Sequence, residues 1–463
     1  MRDPAEGMEG PAHRNLSDHG EEIRLLAACD KDLQSIVVEA SGDSRPRLRR
    51  RDFQGGEVVS EARNGSPSSL EGVRVIEMGS LLAGPFCGQL LADFGAEVVK
   101  IEPPGKGDPM RVWGRHQKEG RTLWWPIIAR NKKSVTLNLR EAEGQKLARR
   151  LIAEADVLIE NFRPGTMEKW GMGYEDLREI NPGLVMVRVS GYGQTGPYRE
   201  RAGFGSIGEA MGGIRHVTGF PDLPPPRTGI SLGDSLAATF GALGALTALY
   251  HREAHGGRGQ VVDVGIYEAV LALMESTIPE HVLAGHTRGR TGSVLPFVAP
   301  SNIYPTRDDD YVLIAGNTDT VFRRLAEALG HPEWAEDERY ATHHARGENM
   351  QELDAMISGW TKGRTGEEVL AAMAEVGVPA GKVFTAADMV EDEHYAAREN
   401  IITVEDPEIG EFPMQNVVPR LSESPGKVRW TGPALGQHNE EVYGGVLKLD
   451  GKEREGLRER GVI

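Results

Sequence analysis

The sequence predicts an α/β protein in which a Rossmann-like doubly wound parallel sheet forms a large domain and a smaller α+β domain follows. Three observations predict it. The segment Gly72-Val-Arg-Val-Ile-Glu-Met78 has the pattern of a buried strand, and a loop, a helix at 86–93 and a strand at 96–102 follow it at once. Strand, helix and strand over about thirty residues make a βαβ unit with a right-handed crossover. Strand and helix signals then keep alternating through 133–139, 142–155, 156–160 and 183–189, the signature of a parallel sheet covered on both faces.

Taken in order, the first unit invites a dinucleotide reading, with Glu102 holding a ribose. The loop at 79–85, Gly-Ser-Leu-Leu-Ala-Gly-Pro, carries Gly79 and Gly84 alone, so the GxGxxG spacing that brings a backbone up to a pyrophosphate is missing. A Rossmann-like sheet with a different ligand remains. Ligands of such sheets bind at the carboxyl ends of the strands, here the loops after Met78, Glu102, Leu139, Glu160 and Val189. Basic residues gather along these segments: Lys106, Arg111 and Arg115, then Arg130, Lys132 and Lys133, then Arg163 and Lys169. They suit a phosphorylated ligand, and they read equally well as ordinary surface cations.

A long apolar helix follows at 234–254, then a strand at 260–263 that completes a large domain at 70–270. A linker at 271–298 leads to a small domain at 299–395, with a strand at 310–315 and helices at 321–329 and 367–376. The tail at 396–463 is expected to return to the large domain. Residues 1–69 differ in texture, with mixed charge clusters and the arginine run at 44–52, and read as a mostly disordered extension; a short helix and strand at 23–40 carry no motif.

Composition narrows the function classes. A chain of 463 residues with 39% hydrophobic content buries a sizeable core. Its formal net charge of -16 and pI near 5.4 argue against a nucleic-acid binder, which needs an extended basic field. Cys29 and Cys87 fit neither a disulfide framework nor a metal site, so the expected compartment is the cytoplasm and no metal is expected. No run of eighteen consecutive apolar residues occurs, and the start lacks the pattern of a secretory signal, so no membrane partner is expected.

One acidic residue stands out in Arg227-Thr-Gly-Ile-Ser-Leu-Gly-Asp234-Ser235, where a carboxylate sits behind a glycine at the mouth of the long apolar helix. By itself Asp234 reads as a helix N-cap. A carboxylate placed there can also act as a nucleophile.

The residues around it decide between these. Ala83-Gly-Pro85, the segment at 91–102, Asn131-Lys-Lys-Ser134, the segment at 155–165, Gly191-Tyr-Gly-Gln-Thr-Gly-Pro197, Leu232-Gly-Asp-Ser235, the segment at 256–263, Gly377-Val-Pro-Ala-Gly381 and the segment at 435–441 together resemble the class III CoA-transferases of the CaiB/BaiF type, the family of formyl-CoA, carnitine and succinyl-CoA transferases. The match runs over residues 70–463. The resemblance implies that Asp234 is the nucleophile of a covalent mechanism, that a coenzyme A thioester and a free carboxylic acid are the substrates, that no cofactor is tightly bound, and that two copies interlock as a homodimer. The helix start behind Asp234 is expected to favour its ionised form, near the ordinary aspartate pKa of about 3.9.

Carried over position by position, the family's CoA contacts fall on Ser80, Leu82, Ala83, Leu137, Asn161, Lys169, Trp170 and Phe204. Lys169 replaces an arginine and keeps the charge, and Trp170 replaces a methionine and keeps an apolar surface, unless it only packs against Tyr174. Leu82 stands for a glutamine and Pro103 for an arginine of formyl-CoA transferase. A mobile glycine loop that supplies oxyanion donors, which the resemblance implies, has its nearest candidate in Gly289-Arg-Thr-Gly292-Ser293, a segment that reads equally well as a plain interdomain loop. The 2-methylacyl-CoA racemases of the same family pair an aspartate with a histidine, but the histidine position holds Phe204, and Gly205 stands where an acid is common; His216 is left with a structural or substrate-binding role. An inactive CoA-binding protein is a further alternative. Arg215 and Arg227 flank the segment at 218–226 and suit the distal carboxylate of a dicarboxylate such as succinate or malate, or else form internal ion pairs.

Overall fold

The computed structural model describes residues 67–463, so the expected helix and strand at 23–40, the arginine run at 44–52 and Cys29 lie outside the described residues. The sheet is built from β1 (Arg74–Glu77), β2 (Glu97–Glu102), β3 (Lys132–Thr136), β4 (Val157–Glu160), β5 (Val185–Ser190) and β6 (Val261–Gly265). All neighbours pair in parallel in the order β3-β2-β1-β4-β5-β6, the doubly wound order in which the chain reverses direction between β1 and β4.

Alternation along the strands feeds two cores, because successive side chains point to opposite faces. Ile76, Val99, Val135, Leu158 and Met186 meet α2 (Ala142–Ala153) through Leu147, Leu151 and Ile152, and the chain end through Val442, Tyr443 and Ile463. Val75, Val98, Val157, Val185 and Val187 meet α1 (Ala83–Asp93) through Cys87 and Leu91. The same face receives a long helix, Leu232–Ala254, through Ala237, Ala238, Ala242, Ala245 and Ala248. This helix lies close because its contact face is small: a Cβ on Gly241 would sit 3.3 Å from Cys87 Sγ and from Val187 Cγ1.

Two starts differ from the sequence expectation. The first helix begins at Ala83 rather than 86, since Pro85 falls in the first turn, where its missing N–H is no loss. The long helix begins at Leu232 with Ser231 as its N-cap, which puts Asp234 at the third helical position rather than at the cap. With 23 residues that helix is also long and apolar enough to cross a membrane, although its apolar stretches fall short of eighteen consecutive residues. Leu243, Leu246 and Tyr250 leave its outer side exposed and apolar.

Edge strand β3 is covered by the chain end. His438 N donates to Ser134 O at 2.9 Å, Thr136 N donates to Asn439 Oδ1 at 2.9 Å, and the Tyr443 hydroxyl donates to Thr136 O at 2.7 Å. A separate three-stranded antiparallel sheet, Ser301–Pro305, Tyr311–Ala315 and Ala380–Lys382, packs on helices Asp319–Ala328, Met350–Thr361 and Gly366–Glu375 around Tyr304, Ile314, Phe322, Leu353 and Met373.

Candidate active site

The strand order reverses between β1 and β4, and the loops that follow these two strands meet through two of the predicted contact residues. Ser80 N donates to Asn161 Oδ1 and Asn161 Nδ2 returns a bond to Ser80 O, both at 2.8 Å. Leu81 is held with a φ of 65°, a left-handed geometry that a leucine adopts only under constraint, and its N–H donates to Asp108 Oδ1 at 3.2 Å. Leu82 and Ala83 start α1 directly afterwards. Gly79 and Gly84 close the turn so tightly that a Cβ on either would lie 3.2 Å from the Cα of the other.

Beneath this loop lies a buried charge network that the sequence reading did not assemble. Lys100 Nζ sits 2.9 Å from Glu77 Oε1 and 2.8 Å from Asp108 Oδ2, and donates to Gly79 O at 2.8 Å. Lys132 Nζ sits 2.7 Å from Glu77 Oε2 and donates to Pro85 O at 2.6 Å. Two lysines that share Glu77, with Asp108 as the second carboxylate on Lys100, therefore grip both ends of the loop. Burial works against the charge of each; for Lys100, Asp108, Glu77 and Glu102 outweigh it and raise the pKa, whereas Lys132 is lowered, with Lys100 adding repulsion. The signal was present in the sequence as Glu77 and Lys100, charged residues inside otherwise apolar strands.

The cations expected to await a phosphate divide accordingly. Arg111 pairs with Glu102 at 2.7 Å, Arg130 with Asp93 at 2.6 Å, Lys132 with Glu77, and Lys133 with Glu97 and Glu441. These four are internal ion pairs. Arg130, Lys132 and Lys133 precede or open β3, at the amino end of that strand, although the Lys132 ammonium reaches across to the Pro85 carbonyl. Lys106, Arg115, Arg163 and Lys169 are exposed, with no carboxylate at ion-pair distance among the described residues.

Past β4, the short helix α3 (Thr166–Lys169) carries Lys169 on its last turn, and Trp170 follows. Trp170 packs edge-on against Phe162, with centroids 5.1 Å apart, rather than pairing with the Tyr174 ring. Leu137 follows β3 but is 1% exposed, so its side chain belongs to the core and only its backbone can face a ligand.

Asp234 lies on the same edge of the sheet, because the long helix connects β5 to β6 and begins where β5 ends. Its surroundings come from α4 (Gly205–Met211), α5 (Ile214–Val217), the long helix, now α6, and α7 (Ile266–Leu271). Glycines let α4 pack closely: a Cβ on Gly205 would lie 2.4 Å from Asp234 Oδ2, and one on Gly208 would lie 2.5 Å from Ile266 Cγ2. Phe204 caps α4 with its side chain 66% exposed, beside the glycine that touches the carboxylate. Burial pushes the Asp234 pKa up to about 6, Glu209 adds to the rise, and Arg227 opposes it. The expectation of an ordinary aspartate is thereby corrected: desolvation and a neighbouring carboxylate outweigh the helix N-terminus. No hydrogen bond to the Asp234 carboxylate is made among the described residues.

The two arginines have different duties. Arg215 binds Glu209 Oε2 through Nε at 3.1 Å and Nη2 at 2.9 Å, a half-buried guanidinium on a buried carboxylate. Arg227 is exposed and donates from Nη2 to Ser231 Oγ at 3.2 Å, with no carboxylate at ion-pair distance among the described residues. The segment that carries it is tied to the predicted glycine loop: Gly292 N donates to Gly219 O at 2.9 Å and Arg290 Nε to Phe220 O at 3.2 Å. His216 is exposed on α5, and no histidine is among the charges that act on Asp234. A cleft of about 340 Å³ lined by Arg121, Lys133, Trp430 and His438 includes, of the residues singled out individually in the sequence, Lys133 alone.

The chain is 63% identical over 397 residues to a succinyl-CoA–D-citramalate CoA-transferase of Chloroflexus aurantiacus, covering 86% of this chain and 98% of that one. It is 45% identical to the alpha subunit of a succinyl-CoA–L-malate CoA-transferase of the same organism, over 85% of this chain and 92% of that one. A crystal structure of a CaiB/BaiF family protein from Brucella suis superposes with a TM-score of 0.73 at 35% identity, covering 82% of this chain and all of that one. Residues 70–439 match the family model of CoA-transferase family III, and the chain belongs to that family.

Proposed function

We propose that this CoA-transferase moves CoA from succinyl-CoA to a free hydroxy-dicarboxylic acid of the citramalate or malate type, through covalent intermediates on Asp234. The observation that carries the reading is the Asp234 carboxylate itself: partly desolvated, unbonded among the described residues, and placed at the ligand edge of the sheet. A carboxylate with a pKa near 6 is about nine-tenths ionised at pH 7 and more basic than an ordinary aspartate, which favours it as a nucleophile.

In the proposed sequence the Asp234 carboxylate attacks the thioester carbonyl, and collapse of the tetrahedral adduct expels the CoA thiolate and leaves a mixed succinyl–aspartyl anhydride. The thiolate then attacks the Asp234 acyl carbon and releases succinate, giving an aspartyl-CoA thioester. The acceptor carboxylate attacks that thioester, expels the thiolate again and forms a second anhydride. Attack of the thiolate on the acceptor carbonyl yields the new acyl-CoA and regenerates Asp234. Every step exchanges one acyl bond for another, so no general base is required.

Ser80, Leu82, Ala83, Asn161, Lys169 and Trp170, with the Leu137 backbone and Phe204, are the proposed CoA-binding groups, and their distribution along the β1, β3 and β4 ends supports the assignment. Exposed Lys106, Arg115 and Arg163 add positive charge for its phosphates. Arg227 is the proposed ligand of the distal carboxylate, since it has no internal carboxylate partner among the described residues. The succinyl-CoA specificity named for the two Chloroflexus proteins supports a dicarboxylate. A second copy of the chain is the proposed cover for the apolar outer side of α6, in a homodimer placed in the cytoplasm. Phe204, and the lack among the described residues of a histidine acting on Asp234, speak against racemase chemistry.

The test is a chromatographic assay with succinyl-CoA and a panel of D-citramalate, L-malate, glutarate and acetate. Stoichiometric succinate release with a new thioester of citramalate or malate is the expected result. Transfer to acetate alone, or hydrolysis without transfer, would rule the substrate class out.

A further inference from the structure

The start of α6 is capped from outside the helix. Ser231 holds the N-cap, but its hydroxyl receives Arg227 and makes no capping bond. Asp234 stands at the third helical position, where a carboxylate ordinarily turns back to the N-cap N–H, and it makes no such bond. The N–H immediately before it is served by another helix: Gly233 N donates to Glu209 Oε1, at a longish 3.3 Å. Glu209 is 1% exposed and is fixed through its other oxygen by Arg215 Nε and Nη2. A Cβ on Gly233 would lie 3.1 Å from Glu209 Cγ and 2.9 Å from Gly205 O, so the approach needs a glycine there.

We propose that Glu209, anchored by Arg215, is a positioning residue that takes the Gly233 N–H at the start of α6 and so fixes the helical turn that presents the Asp234 carboxylate, itself unbonded among the described residues, for attack on the thioester. The inference rests on Asp234 being the nucleophile. It also gives Arg215 a duty other than binding substrate. A buried helix start needs an acceptor. A carboxylate at Asp234 that turned back onto a backbone N–H would commit a lone pair there, and its nucleophilicity would fall. Glu209 supplies the acceptor from the neighbouring helix.

The Glu209 charge also makes Asp234 less acidic, in the direction already described. The other charged groups on the packed elements are engaged: Glu268 of α7 accepts from Gly265 N at 3.0 Å, Asp263 of β6 accepts from Gln194 N at 2.9 Å, and Arg227 opposes the shift from the preceding loop.

The test compares Glu209→Ala and Glu209→Gln with wild type in kcat, KM for succinyl-CoA, pH profile, thermal melting and hydroxylamine trapping of the activated aspartate by mass spectrometry. An amide oxygen still accepts from Gly233 N, so Glu209→Gln is expected to keep kcat within a few fold while the acid limb of kcat/KM moves to lower pH. Glu209→Ala is expected to lose about a hundredfold in kcat with KM nearly unchanged, because the attacking group is misplaced rather than the CoA site. Trapping at Asp234 falls in step. A folded Glu209→Ala with wild-type kcat would overturn the inference, as would a folded Glu209→Gln that loses as much kcat as Glu209→Ala. If Glu209→Ala does not fold, Glu209→Gln decides alone: retained kcat with a lowered acid limb supports the role, and lost kcat with an unmoved limb overturns it. Transfer by wild type without trapping at Asp234 would refute the nucleophile, whereas equal trapping in wild type and Glu209→Ala would refute the positioning role alone.

Discussion

Gly205 leaves no room for a side chain beneath Asp234: a Cβ built there would lie 2.4 Å from Oδ2 and 2.7 Å from Cγ. Gly205→Ala must therefore move the carboxylate. The expected result is a fall in kcat of about ten- to a hundredfold, with a loss of about 1–3 kcal/mol in stability from overpacking. Steady-state kinetics and thermal melting check both, and an unchanged kcat would show that the carboxylate position is not critical.

Asp234 gives opposite pH dependences for stability and activity. Burial first, and Glu209 second, raise its pKa from 3.8 to about 6. With the folded value above the unfolded one, its contribution to stability is fully present below about pH 4 and is lost as pH rises through about 6. Asp234→Asn should therefore stabilise the fold by about 1–3 kcal/mol at pH 8 and have little effect at pH 4. Catalysis needs the ionised form, so wild-type kcat/KM should fall about tenfold per unit below pH 6. Melting curves and pH–rate profiles together test this, and an acid limb near pH 4 would contradict it.

The two arginines flanking residues 218–226 should separate cleanly. Arg227→Ala is expected to raise KM for the acid substrate about tenfold with no loss of melting temperature, since its groups are exposed. Arg215→Ala leaves Glu209 charged and buried and should destabilise by about 3 kcal/mol or more. A KM effect for Arg215→Ala without destabilisation would reverse the assignments.

Lys132 joins Glu77 to the carbonyl of Pro85 at the start of α1. Lys132→Met strands part of the Glu77 charge, and a loss of about 3–5 kcal/mol in guanidinium chloride unfolding is expected. A loss below about 1 kcal/mol would mean that Lys100 alone satisfies Glu77.

The sheet was legible because its strands are short apolar runs separated by helical stretches, and all six strands were placed to within three residues at either end. Asp234 was legible through its motif. Its setting was not, because the long helix starts at Leu232 rather than at the acidic residue, and the desolvation that raises its pKa comes from α4, whose packing depends on glycines that carry no periodic signal. The basic clusters misled for a related reason: whether Arg130, Lys132 and Lys133 face a ligand or a carboxylate depends on which end of β3 they occupy and on partners as distant as Asp93 and Glu441. Glu209 passed unnoticed since one acid on a short helix is ordinarily solvated.

The covalent role of Asp234 is tested most directly by intact-protein and peptide mass spectrometry after incubation with succinyl-CoA and hydroxylamine, comparing wild type with Asp234→Ala. The covalent mechanism predicts a hydroxamate on the wild-type peptide that holds Asp234, with CoA release, and neither in the variant. An active wild type with no adduct on that peptide, or an Asp234→Ala enzyme that still transfers CoA, would contradict it.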